Sequence, residues 1–245
     1  MRRALAGATG RGLRVGLIDS GRDPDWQEPR ILPGIGLADI ERPFALERSA
    51  DDADRIGHGT ACCDLILRSA PEVEIVPCRV FVHRLETSVE LLVAALEWAA
   101  TERFDLVNLS LGTTLESAVR PFYRACEKLH RQGTIVVSAI EQSEAFSYPA
   151  AFDNVLGVHA DHFADDFDYR YDPEAAAECT ARGDGEVRWL EGERREVFAS
   201  SFAAPRITGL LALFLEQSPG AGLAEARRFL AAQAATQSTP SPQRS

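Results

Sequence analysis

Residues 196–217 read EVFASSFAAPRITGLLALFLEQ. From Phe202 to Glu216 the run is strongly apolar, which predicts a helix buried on most sides. Two serines, Ser200 and Ser201, stand at its mouth. A serine there has two readings. It can cap the helix, because its hydroxyl can accept an orphan backbone N–H of the first turn. It can also be a nucleophile, set where free N–H groups and the helix dipole favour a developing negative charge. The second reading needs partners far away in the sequence.

A buried helix needs layers around it. Working outward, short apolar runs at 13–18, 73–82, 105–111, 134–139 and 154–159 read as strands. Helical spacing marks 61–68, 88–101, 116–132 and 223–232, the third stopping at Gly133. Pro77 argues for a bend or an edge in the second strand. Residues 22–57, rich in Pro, Gly, Asp and Arg, read mostly as loop. Residues 161–196 are acidic and then mixed, with a hairpin signal at Glu191-Gly192. Strands alternating with helices predict an α/β fold of three layers, a mostly parallel sheet covered by helices on both faces. Sites in such sheets gather at the carboxyl ends of strands. Asp19, Ser110 and Gln142 each follow a strand closely.

Three short motifs carry the chemistry: Asp19-Ser20-Gly21, His58-Gly59-Thr60, and Ser200-Ser201-Phe202-Ala203-Ala204-Pro205. A serine hydroxyl is a poor nucleophile near neutrality and needs a general base. Histidine suits that role because its pKa lies close to neutral. A carboxylate then fixes the tautomer and stabilises the imidazolium.

The order Asp, His, Ser, with these flanks, resembles the subtilisin-like serine proteases (subtilases). The resemblance covers roughly residues 12–217. It implies Asp19, His58 and Ser201 as the triad, and its register selects Ser201 over Ser200. It also implies an extended substrate along Ser110, Leu111 and Gly112, bound by strand addition, with Ser138 and Ala139 on the opposite wall. Tyr148-Pro149 falls where many family members have a cis bond.

Several positions depart from the family. Gln142 stands at the place of the oxyanion asparagine, one methylene longer, and losing such a donor costs roughly 3–4 kcal/mol of transition-state stabilisation. Ala199 replaces a glycine, which predicts a restricted backbone before the nucleophile. Phe202 replaces a methionine. Cys62, one helical turn after His58, reads as a packed thiol, with a cysteine nucleophile as the alternative. The first strand begins near residue 13, so the resemblance implies a domain that folds without a signal sequence or prodomain of its own.

Bulk properties bound the rest. The chain has 245 residues and a formal net charge of −11. That charge disfavours nucleic acid and anionic membrane surfaces as partners. Five cysteines, an odd count without Cys-x-x-Cys, read as reduced thiols in a cytoplasmic protein. His159, Asp161, His162, Asp165 and Asp166 read as a solvated acidic loop, so no metal or other cofactor is assigned. Structural calcium is common in the family and stays open as a weak ligand of these acidic oxygens, although no clear motif for it is present. A peptidase domain is expected over 12–233 and a disordered tail over 234–245. The expected function is an intracellular serine endopeptidase with a dedicated processing role on a peptide or protein substrate. Leader-peptide removal or regulated cleavage of a partner would fit. The alternative is a catalytically impaired, peptide-binding scaffold.

Overall fold

A computed structural model describes residues 5–40, 45–140, 146–188 and 194–237. β1 (Arg14–Asp19) is the centre from which the sheet grows. On one side lie β4 (Glu74–Arg79), β2 (Ile35–Ile40) and β3 (Ala45–Ser49). On the other lie β5 (Leu106–Leu109), β6 (Ile135–Ala139), β7 (Leu156–Asp161), β9 (Cys179–Arg182) and β8 (Tyr169–Tyr171). The nine-stranded sheet has the order β3-β2-β4-β1-β5-β6-β7-β9-β8, and every pair from β2 to β9 in that order is parallel. Only the outermost pairs, β2–β3 and β8–β9, are antiparallel. A separate hairpin joins β10 (Asp184–Arg188) to β11 (Arg194–Phe198).

Alternation along β1 shows why helices must cover both faces. Val15 and Leu17 join one apolar cluster, with α1 (His58–Ser69), α4 (Ser200–Gln217) and α5 (Leu223–Gln237). Ile18 joins the other, with α2 (Val89–Glu102) and α3 (Glu116–Arg131). Successive residues of a strand point to opposite faces, so a doubly covered sheet is apolar throughout. α4 is buried from Phe202 to Leu215, as its unbroken apolar sequence requires. Among the described residues no helix is long and apolar enough to cross a membrane.

One expectation needs an addition and another a correction. Residues 22–57 are mostly loop, but two strands unread from the sequence, β2 and β3, lie within them. β3 is an edge strand whose Glu47 and Arg48 are exposed, so its sequence lacks the apolar run of a buried strand. Pro77 sits on neither an edge nor a bend but in β4, between β2 and β1, opposite Leu17. Its missing N–H falls where the β2 side of the ladder is interrupted. Ile75 donates to Arg30 there, and regular pairing resumes only at Ile35 with Cys78.

The hairpin signal matches β10 and β11, while the turn residues 189–193 lie outside the described residues. α5 runs to Gln237, beyond the 223–232 read from spacing, and residues 238–245 also lie outside.

Candidate active site

Asp19 ends β1, and Ser110 follows β5, the neighbouring strand. After β1 the chain builds β2 to β4 on one side of it, then crosses to β5 on the other. Such a switch point leaves a crevice at the carboxyl ends of the two strands.

α1 enters this crevice with His58 as its first residue. Asp54, upstream and 3% exposed, fixes that start. Its Oδ1 accepts from the N–H of Ile56 at 2.9 Å and of Gly57 at 2.7 Å; its Oδ2 accepts from the Thr60 N–H at 2.9 Å and hydroxyl at 2.6 Å. A carboxylate satisfying the first turn also complements the helix dipole. The Ser20 hydroxyl accepts from the Gly59 N–H at 2.8 Å. A Cβ at Gly59 would stand 2.4 Å from the Gly21 carbonyl oxygen, so only glycine permits this approach. The turn after β1 and the start of α1 are thereby locked together.

The lock brings Asp19 Oδ1 within 2.7 Å of His58 Nδ1, with both residues buried. Asp19 Oδ1 also accepts from the Ser20 N–H at 2.7 Å. Burial alone would lower the His58 pKa. The Asp19 charge and hydrogen bond oppose burial and hold it well above the ordinary value of 6.5. Nδ1 donates to the carboxylate, which leaves Nε2 as the basic nitrogen in the neutral ring.

The two serines part ways. Ser200 is 1% exposed, and its hydroxyl accepts from the Ala160 N–H at 3.3 Å, anchoring α4 to β7. Ser201 is half-buried, and among the described residues its hydroxyl forms no hydrogen bond. Catalytic hydrogen bonds are often long before substrate binds. The Phe202 ring packs against the His58 ring with centroids 5.1 Å apart, which sets the first turn of α4 beside the imidazole. Ala199 has φ −159 and ψ 156, an extended conformation open to any residue. The restriction expected from replacing glycine there does not arise.

Cys62 sits among these parts. Its Sγ lies 3.9 Å from His58 Nδ1, 3.4 Å from the Ser110 hydroxyl and 3.7 Å from the Ser201 carbonyl oxygen. That carbonyl would ordinarily pair with the N–H of residue 205, which is proline and has none. Burial and the nearby Asp19 charge push the Cys62 thiol up to about 11, so it remains protonated near neutrality. It acts as a packed thiol rather than a nucleophile.

Ser110 is further fixed by Asn108, whose Nδ2 donates to its hydroxyl at 2.9 Å, while Thr208 of α4 donates to Asn108 Oδ1 at 2.9 Å. The Ser138 hydroxyl donates to the Leu111 carbonyl at 3.2 Å, joining β6 to the segment carrying Leu111 and Gly112. Ala139 ends β6, 2% exposed. Thr113 exchanges both backbone hydrogen bonds with Tyr148, and the Tyr148-Pro149 bond is cis. Gln142 lies outside the described residues, so the structure does not place the side chain expected at the oxyanion.

Sequence reasoning missed Asp54 and Arg206. The signal for Asp54 was a carboxylate just ahead of a helix start. Arg206, 4% exposed inside α4, donates to Asp166 Oδ1 at 2.9 Å and to the carbonyls of Phe202 at 2.8 Å and Arg182 at 3.1 Å. The loop carrying Asp161 and Asp166 is therefore tied up by guanidinium groups, Asp161 pairing with Arg170. His162 packs on Phe198, with ring centroids 4.3 Å apart. Among the described residues the close grouping of ligand-type side chains is Asp19, His58 and Cys62, which is this site itself.

Comparison with known proteins agrees with this geometry. The profile of the "Subtilase family" matches residues 10–245. The chain is 28% identical over 167 residues to the "Minor extracellular protease Epr" of Bacillus subtilis (strain 168), covering 63% of this chain and 24% of that protein's length. It is 25% identical over 230 residues to the "Major intracellular serine protease" of the same organism, covering 84% of this chain and 69% of that one. Among solved structures, a cold-adapted subtilisin-like serine proteinase superposes with a TM-score of 0.74 at 21% identity, over 93% of this chain and 84% of that one. A lanthipeptide protease does so with a TM-score of 0.72 at 20% identity, over 93% and 82%. With the sheet order, the Asp19–His58 pair and the family profile in agreement, the chain belongs to the subtilase family, whose members are serine-type endopeptidases.

Proposed function

We propose that this protein is a cytoplasmic serine endopeptidase that cleaves a dedicated peptide or protein substrate. The observation that carries the reading is the buried Asp19–His58 hydrogen bond of 2.7 Å beside the N-terminus of α4, where the Ser201 hydroxyl has no partner among the described residues. In the proposed reaction Ser201 Oγ attacks the scissile carbonyl and His58 Nε2 takes its proton. The imidazolium, held by Asp19, returns that proton to the leaving amine, and water then hydrolyses the acyl-enzyme by the same base. The Ser201 N–H and the Gln142 amide hold the oxyanion. The acyl side of the substrate lies extended along Ser110 to Gly112, facing Ser138 and Ala139. No cofactor takes part, and the partner is polypeptide rather than nucleic acid or membrane.

Five buried, unpaired thiols support a reducing compartment. The formal charge of −11 argues against polyanionic partners. An unrestrained protease would harm the cell that contains it, which favours a narrow substrate range. Leader-peptide removal and regulated cleavage of a partner are the two forms this takes. The test is digestion of a complex protein mixture, with new termini identified by mass spectrometry. Few cleavage sites sharing one sequence pattern are expected. Broad digestion of casein-like substrates would overturn the dedicated role, and no cleavage with retained peptide binding would favour an impaired, peptide-binding scaffold.

A further inference from the structure

The proposed reaction leaves a large groove unexplained. It has a volume of about 1110 Å³ and begins at Gly57, the residue before His58, and at Phe198, just ahead of α4. One wall is the loop at Asp23 to Trp26 with the outer side of α1; the other is the β10–β11 hairpin. Trp26, Ala61, Leu65, Val197 and Phe198 place apolar surface among its charged groups. Ala61 and Leu65 belong to one buried cluster with Val187 and Phe202, and that Phe202 packs on His58. The groove therefore adjoins the reacting groups on the α1 and hairpin side, whereas Ser110 approaches them from β5.

The charges of the lining do not balance. It contains eight carboxylates and four guanidinium groups. Each arginine is already engaged: Arg68 with Asp64, Arg182 with Asp184, Arg194 with Glu186 and Arg206 with Asp166. Asp54 is consumed by the N–H groups of α1. Asp23, Asp25 and Glu196 have no ion-pair partner among the described residues. Glu196 also lies directly across the hairpin from Glu186. Like charges at a cross-strand pair repel, and Arg194 pairs with Glu186 rather than Glu196, which leaves Glu196 as the carboxylate open to a cationic ligand.

We propose that this groove binds a lysine- or arginine-rich segment of the polypeptide substrate, on the leaving-group side of the scissile bond. This deepens the endopeptidase reading and rests on it for the side assignment. Trp26, Leu65, Val197 and Phe198 take the stems of long basic side chains, and Asp23, Asp25 and Glu196 take their charged ends. An acidic segment would meet uncompensated carboxylates and be rejected.

The test starts from the Ser201→Ala protein, so that binding is read without hydrolysis. Fluorescence anisotropy measures a short labelled Lys/Gly peptide against a Glu/Gly peptide of equal length. Asp25→Lys with Glu196→Lys is expected to weaken the Lys/Gly peptide about tenfold. Glu116→Lys with Glu174→Lys, an equal charge change outside the groove, is expected to leave it within about twofold. Both altered groove residues are exposed, and Glu196→Lys turns the Glu186 contact attractive, so the melting temperature of the groove variant should not fall. Equal weakening by the two double variants, or no preference for the basic peptide, overturns the proposal. Cleavage by the Ser201-containing protein is followed separately. Groove binding without cleavage would sink the catalytic reading and keep the groove, whereas cleavage indifferent to leaving-side charge would do the reverse.

Discussion

Asp19 and His58 are 39 positions apart in the chain and meet through a 2.7 Å hydrogen bond with almost no solvent contact. The pair exists because β1 ends and α1 begins at one locked junction, through Ser20, Gly21, Asp54 and Gly59. Replacing Asp19 with Asn keeps the shape but removes the charge and the tautomer control. The expected loss in kcat is about 10⁴-fold, measured on any peptide the wild type cleaves, with the circular dichroism spectrum unchanged.

The pH profile follows from the same pair. Catalysis needs neutral His58, and the Asp19 charge, prevailing over burial, raises its pKa well above 6.5. The acidic limb of kcat/KM is therefore expected above pH 6.5, with activity rising into the alkaline range. A folded-state pKa above the unfolded one stabilises the fold fully below the unfolded value. That contribution disappears as pH rises through the folded value. The most active pH range is thus one in which His58 no longer adds stability. A pH–rate series beside a pH–melting series checks both signs.

Ser200 and Ser201 should separate cleanly. Ser200→Ala strands the Ala160 N–H in the core and is expected to cost about 1–3 kcal/mol of stability, with labelling of the nucleophile retained. Ser201→Ala should leave stability within about 0.5 kcal/mol and abolish the reaction. Urea unfolding of the two variants makes the comparison.

All five cysteines are buried, and burial pushes their thiols up, Cys62 to about 11 and Cys126 to about 12. Iodoacetamide at pH 8 is expected to leave the native protein unmodified and to alkylate five cysteines after unfolding in urea. Intact-mass spectrometry counts them. Rapid modification of Cys62 in the native state would restore the thiol nucleophile as a reading.

Arg206→Met is expected to destabilise the fold by about 2–3 kcal/mol, because it removes the closer of two guanidinium donors from Asp166 and the side-chain donor from the Arg182 and Phe202 carbonyls. The figure lies below that of a fully buried pair because Asp166 is partly solvated. Thermal melting reads the loss, and Arg206→Lys should recover only part of it, since one ammonium cannot reach three acceptors in the same plane.

The parts legible in the sequence were those that local pattern dictates. The apolar run after Ser201 identified α4, and β1 announced itself as an apolar run ending in Asp-Ser-Gly. Contacts between distant residues were not legible. Ser200 reads as a cap, yet its hydroxyl is held by β7, 40 positions away. Pro77 reads as a bend or an edge, yet it sits inside the sheet, where pairing is interrupted just ahead of β2. β3 is polar because it is an edge. Asp54 carried a local signal that went unread, since its partners lie within six residues of it, whereas Arg206 has no motif, since Asp166 and the Arg182 carbonyl reach it only in the fold. Gln142 remained an alignment, and 141–145 lie outside the described residues.

The most direct measurement of the central claim is labelling by a fluorophosphonate probe, which reacts only with an activated serine. Wild type, Ser200→Ala and Ser201→Ala are compared at pH 8, each first shown to be folded. The account predicts labelling of wild type and Ser200→Ala and none of Ser201→Ala. Labelling that survives in Ser201→Ala, or a folded wild type that takes up no probe, would contradict it.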